Sequence, residues 1–243
     1  MKENPMVKVP LDLNEAFVDR HAETDPLTGA PIADPVLSGM SNAVKLAREQ
    51  ATVLANFEAA ALADRTQTPE ANLLRIANAA GKTGKRVAVQ LDAARTRAKT
   101  EIANIQKRTG SPPPPKDSLA LAMEAEIRAR LANMLPKDRA AAIAKAKAEN
   151  NETIIAAVLR GPAMLVGMGE AEQNAIKHHY RMRFHAADYA RLERLNKAVD
   201  AMERPGRLFV SLVRSAEDSP SARLAAINTR AVEEAAAAHA REA

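Results

Sequence analysis

Apolar and small residues recur at intervals of three and four along the stretch from Thr68 to Arg108. This spacing places them on one side of an α-helix and predicts a single helix over the whole stretch. Thr68 and Pro69 are a typical N-cap and first-turn pair, and Gly110 is a stop signal. At ~1.5 Å per residue the helix is expected to be roughly 60 Å long. The stripe consists of Leu73, Ile76, Ala80, Thr83, Val87, Leu91, Ala94, Ala98, Ile102 and Ile105.

The same spacing predicts shorter helices on both sides of this long one. The helix before it begins at the N-cap Ser41 and folds back on it as a hairpin. After it, the prolines of Ser111–Pro115 form a stiff spacer. The predicted shorter helices cover residues 41–63, 118–134, 136–149, 152–160 and 222–241, with one further turn within 162–168.

A second long helix is predicted from Glu170 to Glu203. Its apolar phase slips between His185 and Asp188, which predicts a bend or a change of partner there. Pro205 is expected to end the helix. The residues after it, 207–213, alternate enough to be a short strand, although a helical turn is the alternative.

These elements predict an all-α protein: an elongated bundle or hairpin with two long helices, an extended N-terminal arm and at most one short strand. Five prolines keep the arm from forming a long helix. The predicted domains are an extended acidic arm (1–40), a long helical hairpin (41–110), a proline-rich linker (111–117), a bundle of short helices (118–169) and a long basic helix with a C-terminal helix (170–243).

Charge is distributed unevenly along the chain. Glu70 to Arg108 holds nine basic and three acidic residues, whereas residues 1–64 hold five basic and ten acidic ones. The basic helix is expected to meet phosphates or an acidic protein segment, or to be a solvated face. The arm is expected to lie on a neighbouring subunit's helix, or to be a disordered tail. The predicted contact residues are Lys82, Lys85, Arg86, Arg95, Arg97, Lys99, Arg181 and Arg183.

Composition limits how this chain can be stabilised. Leu, Ile, Val and Phe together make up about a fifth of the 243 residues, and alanine about another fifth. Alanine favours helix but removes little apolar surface from water when it is buried. The core is therefore expected to be thin, and stability is expected to come partly from assembly. No apolar run is long enough to span a bilayer, and no signal peptide is expected.

Sequence motifs give no support for catalysis, a cofactor or a metal. Gly81-Lys82-Thr83-Gly84-Lys85 lacks the earlier glycine and the preceding strand of a phosphate loop, so its glycines are expected to weaken or bend the helix, or to admit a close neighbour. The histidines at 178, 179 and 185 lack the His-Glu-x-x-His spacing of a zinc site, and cysteine is absent. Ser211 and Ser215 have no glycine elbow. We expect no catalytic, cofactor-binding or metal-binding residue.

The chain resembles small helical structural proteins of tailed bacteriophages and prophages. The resemblance rests on an arm ending in Asp34-Pro35, the segment Leu91-Asp92-Ala93-Ala94-Arg95, and Gly161-Pro162-Ala163 before a charged helix. It implies a virion or assembly role, such as a neck, internal, ejection or scaffold-like component. It implies location in the virion or the bacterial host cytoplasm, and it assigns no functional residues.

Two functional hypotheses follow. The first is a non-enzymatic structural protein that forms homo-oligomers through coiled-coil-like contacts of its long helices and binds other structural proteins. The second is a basic helical protein that contacts the DNA backbone. The scarcity of aromatic side chains to stack on bases favours a mainly electrostatic contact in the second case.

Overall fold

A computed structural model of the protein describes residues 7–242. Within that range the chain forms nine α-helices, one 3-10 turn at Ala163–Val166 and one antiparallel pair of two-residue strands. The predicted all-α class is confirmed, with 77% of the chain helical. The elements are α1 (Ala16–Asp19), β1 (Glu23–Thr24), β2 (Pro31–Ile32), α2 (Pro35–Ala63), α3 (Pro69–Arg108), α4 (Ser118–Ala132), α5 (Pro136–Ala148), α6 (Glu152–Leu159), α7 (Glu170–Phe184), α8 (Ala186–Glu217) and α9 (Pro220–Glu242).

The described chain divides into two compact units. The first takes the chain up to Thr100 and again from Arg194 onwards, and the second is Glu101–Glu193. This division cuts the chain within α3 and α8, whereas the sequence placed the main boundary in the proline-rich linker at 111–117. No described helix is long and apolar enough to cross a membrane.

Helix α3 has the bounds that the sequence predicts. The hydroxyl of Thr68 accepts a hydrogen bond from the Ala71 backbone N–H at 3.2 Å, which caps the first turn. Of the ten predicted stripe positions, six are buried and four are half-buried. The buried ones are Ile76, Ala80, Val87, Leu91, Ala98 and Ile105.

Helix α2 begins six residues earlier than predicted, at Pro35 instead of Ser41. Asp34 is the true N-cap, because its side chain accepts hydrogen bonds from the Val36 and Leu37 backbone N–H groups. Proline is tolerated in the first turn of a helix, because the backbone N–H that it lacks has no intrahelical partner at that position, whatever the residue. Counting Pro35 only as a helix breaker therefore placed the helix start too late.

Residues 7–34 of the N-terminal segment pack on their own chain, and its contact with a neighbouring subunit stays a prediction. Leu13 and Val18 are fully buried, and the Val7 N–H donates to Oε2 of buried Glu58 at 2.8 Å. Apolar anchors of this kind fix the segment in place. Residues 1–6 of the predicted arm lie outside the described range.

Acidic side chains of the same segment pair with basic residues of α2 and α8. Glu15 binds Arg48 at 2.7 Å, and this hydrogen-bonded pair lowers the pKa of the Glu15 carboxyl. The other two pairs join Asp12 to Arg204 and Glu23 to Arg194. Pairing of an acidic arm with basic helices was expected, but the partners belong to α2 and α8 of the same chain.

A turn at residues 25–29 joins the two short strands. Gly29 has φ +68°, a conformation that favours glycine, and its N–H donates to the Asp25 carbonyl at 2.7 Å. Glu23 faces Ile32 across the pair. The hairpin itself was not predicted, because two-residue strands carry almost no periodic signal.

The second long helix is really two helices. It breaks at His185, where the phase slip predicts a bend, and α8 then continues through Pro205 to Glu217. The predicted end at Pro205 and the strand considered at 207–213 are both wrong. A proline inside a helix costs about 3 kcal/mol or more. That cost is offset because the continued helix buries Phe209, Leu212, Val213 and Ala216.

The second unit has its own core, built from α4, α5, α6, α7 and the 3-10 turn. The predicted short helices are present, each within two residues of its expected end. Glu124 is buried and pairs with Arg160 and, at 3.6 Å, with Arg128, so its charge is balanced. The core comprises Leu131, Ile143, Ile155, Val158, Leu159, Ala163, Val166, Met168, Ile176 and Tyr180.

Glycines 81 and 84 let α8 approach α3 closely, one of the roles proposed for them. A Cβ built on Gly84 lies 2.6 Å from Cγ1 of Val213, and one built on Gly81 lies 2.7 Å from Oε1 of Glu217. Both distances are shorter than a normal van der Waals contact. At these positions the backbone of α3 contacts side chains of α8.

We expect Gly84→Ala to lower the free energy of unfolding by about 1 kcal/mol, because overpacking costs ~1–3 kcal/mol and the gain in helix propensity returns about 1 kcal/mol. Gly39→Ala in α2 is the control, since a Cβ there meets nothing within 4 Å. It should raise stability by up to about 1 kcal/mol. Urea denaturation measures both. A stabilised Gly84→Ala variant, or no recovery when Val213→Ala is added, contradicts the close contact.

Candidate interaction surfaces

Four of the eight predicted contact residues share one exposed face of α3. At 100° per residue, Lys82, Lys85, Arg86 and Arg97 fall within a sector of about 120°, and all four are exposed. We call these four residues the outer face of α3. Arg86 donates a hydrogen bond to the side chain of Gln50, whereas the ion pairs among the described residues involve none of the other three.

One acidic side chain borders the outer face. Asp92 is the one acid in the sequence between Lys82 and Arg97, and it lies about 20° beyond Lys85, at the edge of the sector, where it also lines a groove. The two ends of the face are fifteen residues apart, or about 22 Å along the helix. Unpaired cations over that length give a positive potential suited to a polyanion.

Arg95 and Lys99 do not belong to this face. They lie outside its sector, Lys99 about 40° and Arg95 about 80° beyond Lys85 around the helix. Arg95 pairs with Glu203 of α8 at 3.2 Å, and Lys99 is exposed. The six predicted contact residues of α3 therefore divide between this sector and its flank, which a count of charges along the sequence does not reveal.

Arg181 and Arg183 serve the second unit and are not arranged as a contact surface. The Arg181 guanidinium donates to the Thr109 hydroxyl at 3.1 Å and to the Gln106 carbonyl at 2.9 Å. Burial lowers the pKa of Arg181, which nevertheless stays charged at neutral pH. Arg183 donates to the Asn150 side chain at 3.1 Å. These hydrogen bonds stabilise the ends of helices.

An open groove of about 660 Å³ runs between α3 and α8 inside the first unit. Its floor is apolar and its rim is charged. We call it the α3–α8 groove. The groove is not predictable from the sequence, because it exists only where the stripes of two distant helices come together. Its lining residues are Ala88, Leu91, Asp92 and Arg95 of α3, and Val199, Met202, Glu203, Gly206, Arg207, Val210, Ser211 and Arg214 of α8.

A second groove, of about 610 Å³, lies in the second unit between Pro112–Pro115, α4, α6 and the end of α7. Tyr180 lines it and stacks near Phe184 (4.9 Å between ring centroids) and His185 (5.4 Å). Burial raises the pKa of the Tyr180 hydroxyl. Glu124, which also lines the groove, is already paired with Arg160, so this carboxylate is engaged in the fold.

The histidine cluster separates in the structure. The ring of His178 packs edge-on against Tyr189 at 5.1 Å, while His185 packs near Tyr180. Asp188 instead binds Arg108 at 2.6 Å, and this contact lowers the pKa of its carboxyl. Among the described residues, no three His, Asp or Glu side chains are grouped so that they could hold a metal ion.

Most of helix α9 is surrounded by solvent. Among the side chains that the structure describes in this helix, 220–240, only Ala222 and Ala225 are buried, and every one from Ala226 to Ala240 is exposed. Leu224 and Ile227 are 63% and 64% exposed and begin an apolar stripe that continues along one side. We call this the α9 stripe. It consists of Leu224, Ile227, Ala231, Ala235 and Ala238.

Comparison of the chain with protein-family models, with characterised proteins and with solved structures gives no match. The surfaces themselves therefore carry the functional argument. They are a cationic face on α3, an apolar groove with a charged rim, and an apolar helix stripe exposed to solvent.

Replacing Arg181 by alanine is expected to lower the free energy of unfolding by about 1–2 kcal/mol, since hydrogen bonds from charged donors contribute ~1.5–3 kcal/mol and this side chain is only partly buried. Lys85→Ala removes the same charge from an exposed site and should change stability by no more than about 0.5 kcal/mol. Thermal denaturation compares them. Equal effects contradict the structural role of Arg181.

Proposed function

We propose that the protein is a non-enzymatic structural or assembly component that self-associates through its helices. The supporting observation is the α9 stripe. Leu224 and Ile227 are each more than three-fifths exposed on the same side of one helix. Monomeric soluble proteins scatter single apolar side chains over their surfaces, whereas apolar residues grouped along one helix mark a contact site.

The physical case rests on the cost of leaving α9 uncovered. A helix in water gains little from its own hydrogen bonds, and helical stability in proteins comes mostly from packing of one face. Burying a Leu or Ile side chain contributes about 1.5–3 kcal/mol. A second chain that covers the α9 stripe therefore stabilises both the helix and the assembly.

The resemblance to structural proteins of tailed bacteriophages extends this proposal to a particle. On that basis the protein is a neck, internal, ejection or scaffold-like component, located in the virion or in the bacterial host cytoplasm. Its partners are then further copies of itself and other structural proteins. This extension depends on the resemblance alone.

Size-exclusion chromatography with light scattering tests self-association. The unchanged protein should be a multimer in high salt, because apolar contacts are not screened by ions. Leu224→Gln with Ile227→Gln should shift it towards the monomer. Thr229→Gln with Ala236→Gln, on the other side of α9, is the matched control and should leave the mass unchanged. A monomer at every protein concentration refutes the proposal.

A second candidate function is binding of a polyanion such as DNA. The outer face of α3 supports it, because Lys82, Lys85 and Arg97 are exposed without an ion-pair partner among the described residues. Contacts to phosphates release counterions and so weaken steeply as salt rises. The chain has only two Tyr, four Phe and no Trp, so stacking on bases contributes little.

Replacing Lys82, Lys85 and Arg97 together by glutamine tests this function. Retention on duplex DNA should weaken, and the slope of log K against log salt should fall by roughly 2 to 3, at ~0.9 per phosphate contact. Replacing Lys137, Lys145 and Lys147 of α5 by glutamine makes the same change in charge elsewhere. If both triple variants lose DNA affinity equally, or if the unchanged protein is not retained on DNA, the outer face is not a DNA site.

A further inference from the structure

The groove between Pro112–Pro115 and helices α4, α6 and α7 holds a polar group that the fold leaves without a partner. We call it the Tyr180 groove. Tyr180 is only 6% exposed, and its hydroxyl takes part in no hydrogen bond among the described residues. Every fully enclosed side-chain nitrogen or oxygen of the described chain does have a hydrogen-bond partner. The Tyr180 hydroxyl is therefore not sealed in the core, and it opens into the groove that this side chain lines.

This open hydroxyl is unusual, because a buried tyrosine normally finds a hydrogen-bond partner for its O–H. A ligand in the groove can supply the missing partner. The groove has a volume of about 610 Å³, and pockets for small molecules measure ~300–1,000 Å³. The apolar part of its lining consists of Pro112–Pro115, Ala120, Met123, Ala156 and Phe184. An apolar cleft with a few convergent polar groups is the usual form of a small-molecule site.

Most of the charged side chains that line the Tyr180 groove are engaged in the fold. Glu124 is buried and pairs with Arg160. Asp117 accepts a hydrogen bond from the Ala120 N–H at 2.7 Å and so caps α4. The titratable side chains of the lining, apart from Tyr180 itself, are Lys116, Asp117, Glu124, Glu152, Arg160 and His185.

Lys116 and Glu152 are the charged lining residues that have no ion pair or hydrogen bond among the described residues. Glu152 is the one that acts on the Tyr180 hydroxyl. Burial and then the Glu152 charge raise the pKa of this hydroxyl, and Arg160 opposes them less strongly. The lining as a whole has three carboxylates and two basic side chains, which leaves one negative charge in excess when His185 is neutral. The groove therefore favours a cation over an anion.

We propose that the Tyr180 groove binds a small organic ammonium ion with an aromatic or apolar body. The Glu152 carboxylate attracts the ammonium, and the Tyr180 hydroxyl accepts one of its hydrogen bonds. The rings of Tyr180 and Phe184 contribute a cation–π attraction, and the proline wall covers the apolar body. This hydroxyl stays protonated at neutral pH, since its pKa lies above the ordinary value of about 10. The proposal does not depend on self-association through α9.

Three probes of the same shape test the charge preference. Phenethylamine is a cation at neutral pH, 2-phenylethanol is neutral and phenylacetate is an anion. NMR titration follows the ring protons of tyrosine, of which the chain has only two residues, and the Tyr180→Phe spectrum assigns the signals. The Tyr180 signals should shift on addition of phenethylamine, with a dissociation constant at least fivefold lower than for the other two probes. Tyr180 signals that do not move overturn the site, and equal or tighter binding of either other probe overturns the preference for a cation.

Glu152→Gln should raise the dissociation constant for phenethylamine at least threefold and leave that for 2-phenylethanol unchanged. Glu170→Gln is the matched control. Both acids are exposed and lie in the first turn of a helix, but Glu170 does not line the groove. Equal losses in the two variants contradict the role of Glu152. Lys116→Gln should not weaken binding of phenethylamine, and a threefold loss there contradicts the charge assignment.

Tyr180→Phe removes the hydroxyl and keeps the ring. It should raise the dissociation constant for phenethylamine at least threefold, measured by calorimetric titration. Its Tm should stay unchanged, because the hydroxyl makes no hydrogen bond within the fold. A Tyr180→Phe variant that binds phenethylamine as tightly as the unchanged protein, or that unfolds at a clearly lower temperature, contradicts the idea that this hydroxyl is kept for a ligand.

Discussion

Close contact between helices lined by alanine and glycine sustains the first unit. Alanine removes little surface from water, so each contact contributes little, and stability must be summed over many turns. Long helices therefore compensate for small side chains: α3 is 40 residues long and α8 is 32. Close approach is the condition for this arrangement, and Gly84 meets Val213 with no room for a Cβ. Side chains this small also cannot fill the space beside two long helices, and an apolar groove remains.

Local signals were sufficient for α3 but not for α8. The N-cap at Thr68, the stop at Gly110 and a continuous stripe all lie within the helix itself, so the sequence predicts its bounds. Pro205 is an equally clear local stop signal, yet the helix continues because Phe209 and its neighbours are buried beyond it. Pro35 shows the converse case, since a proline in the first turn is compatible with the helix. Whether a helix continues through a proline therefore depends on packing against residues that are distant in the sequence.

Interaction surfaces were less predictable than helices, because a surface depends on which sides of helices remain uncovered. Counting charges identified the cations of α3, but only helix geometry divides the outer face from Arg95 and Lys99. In the sequence Arg181 looks equivalent to the cations of α3, but its guanidinium donates hydrogen bonds to Thr109 and Gln106. The α9 stripe was not predicted, although Leu224, Ile227 and Ala231 have helical spacing. Its significance depended on knowing that nothing in the described chain covers it.

The two proposed activities use different helices, α9 and α3, and so do not exclude each other. Self-association then brings several copies of the outer face of α3 into one assembly. Contacts too weak to hold one chain on a polyanion act together once several chains are joined, because each bound chain raises the effective concentration of the next. Assembly through α9 thus becomes the condition under which Lys82, Lys85 and Arg97 bind a polyanion strongly.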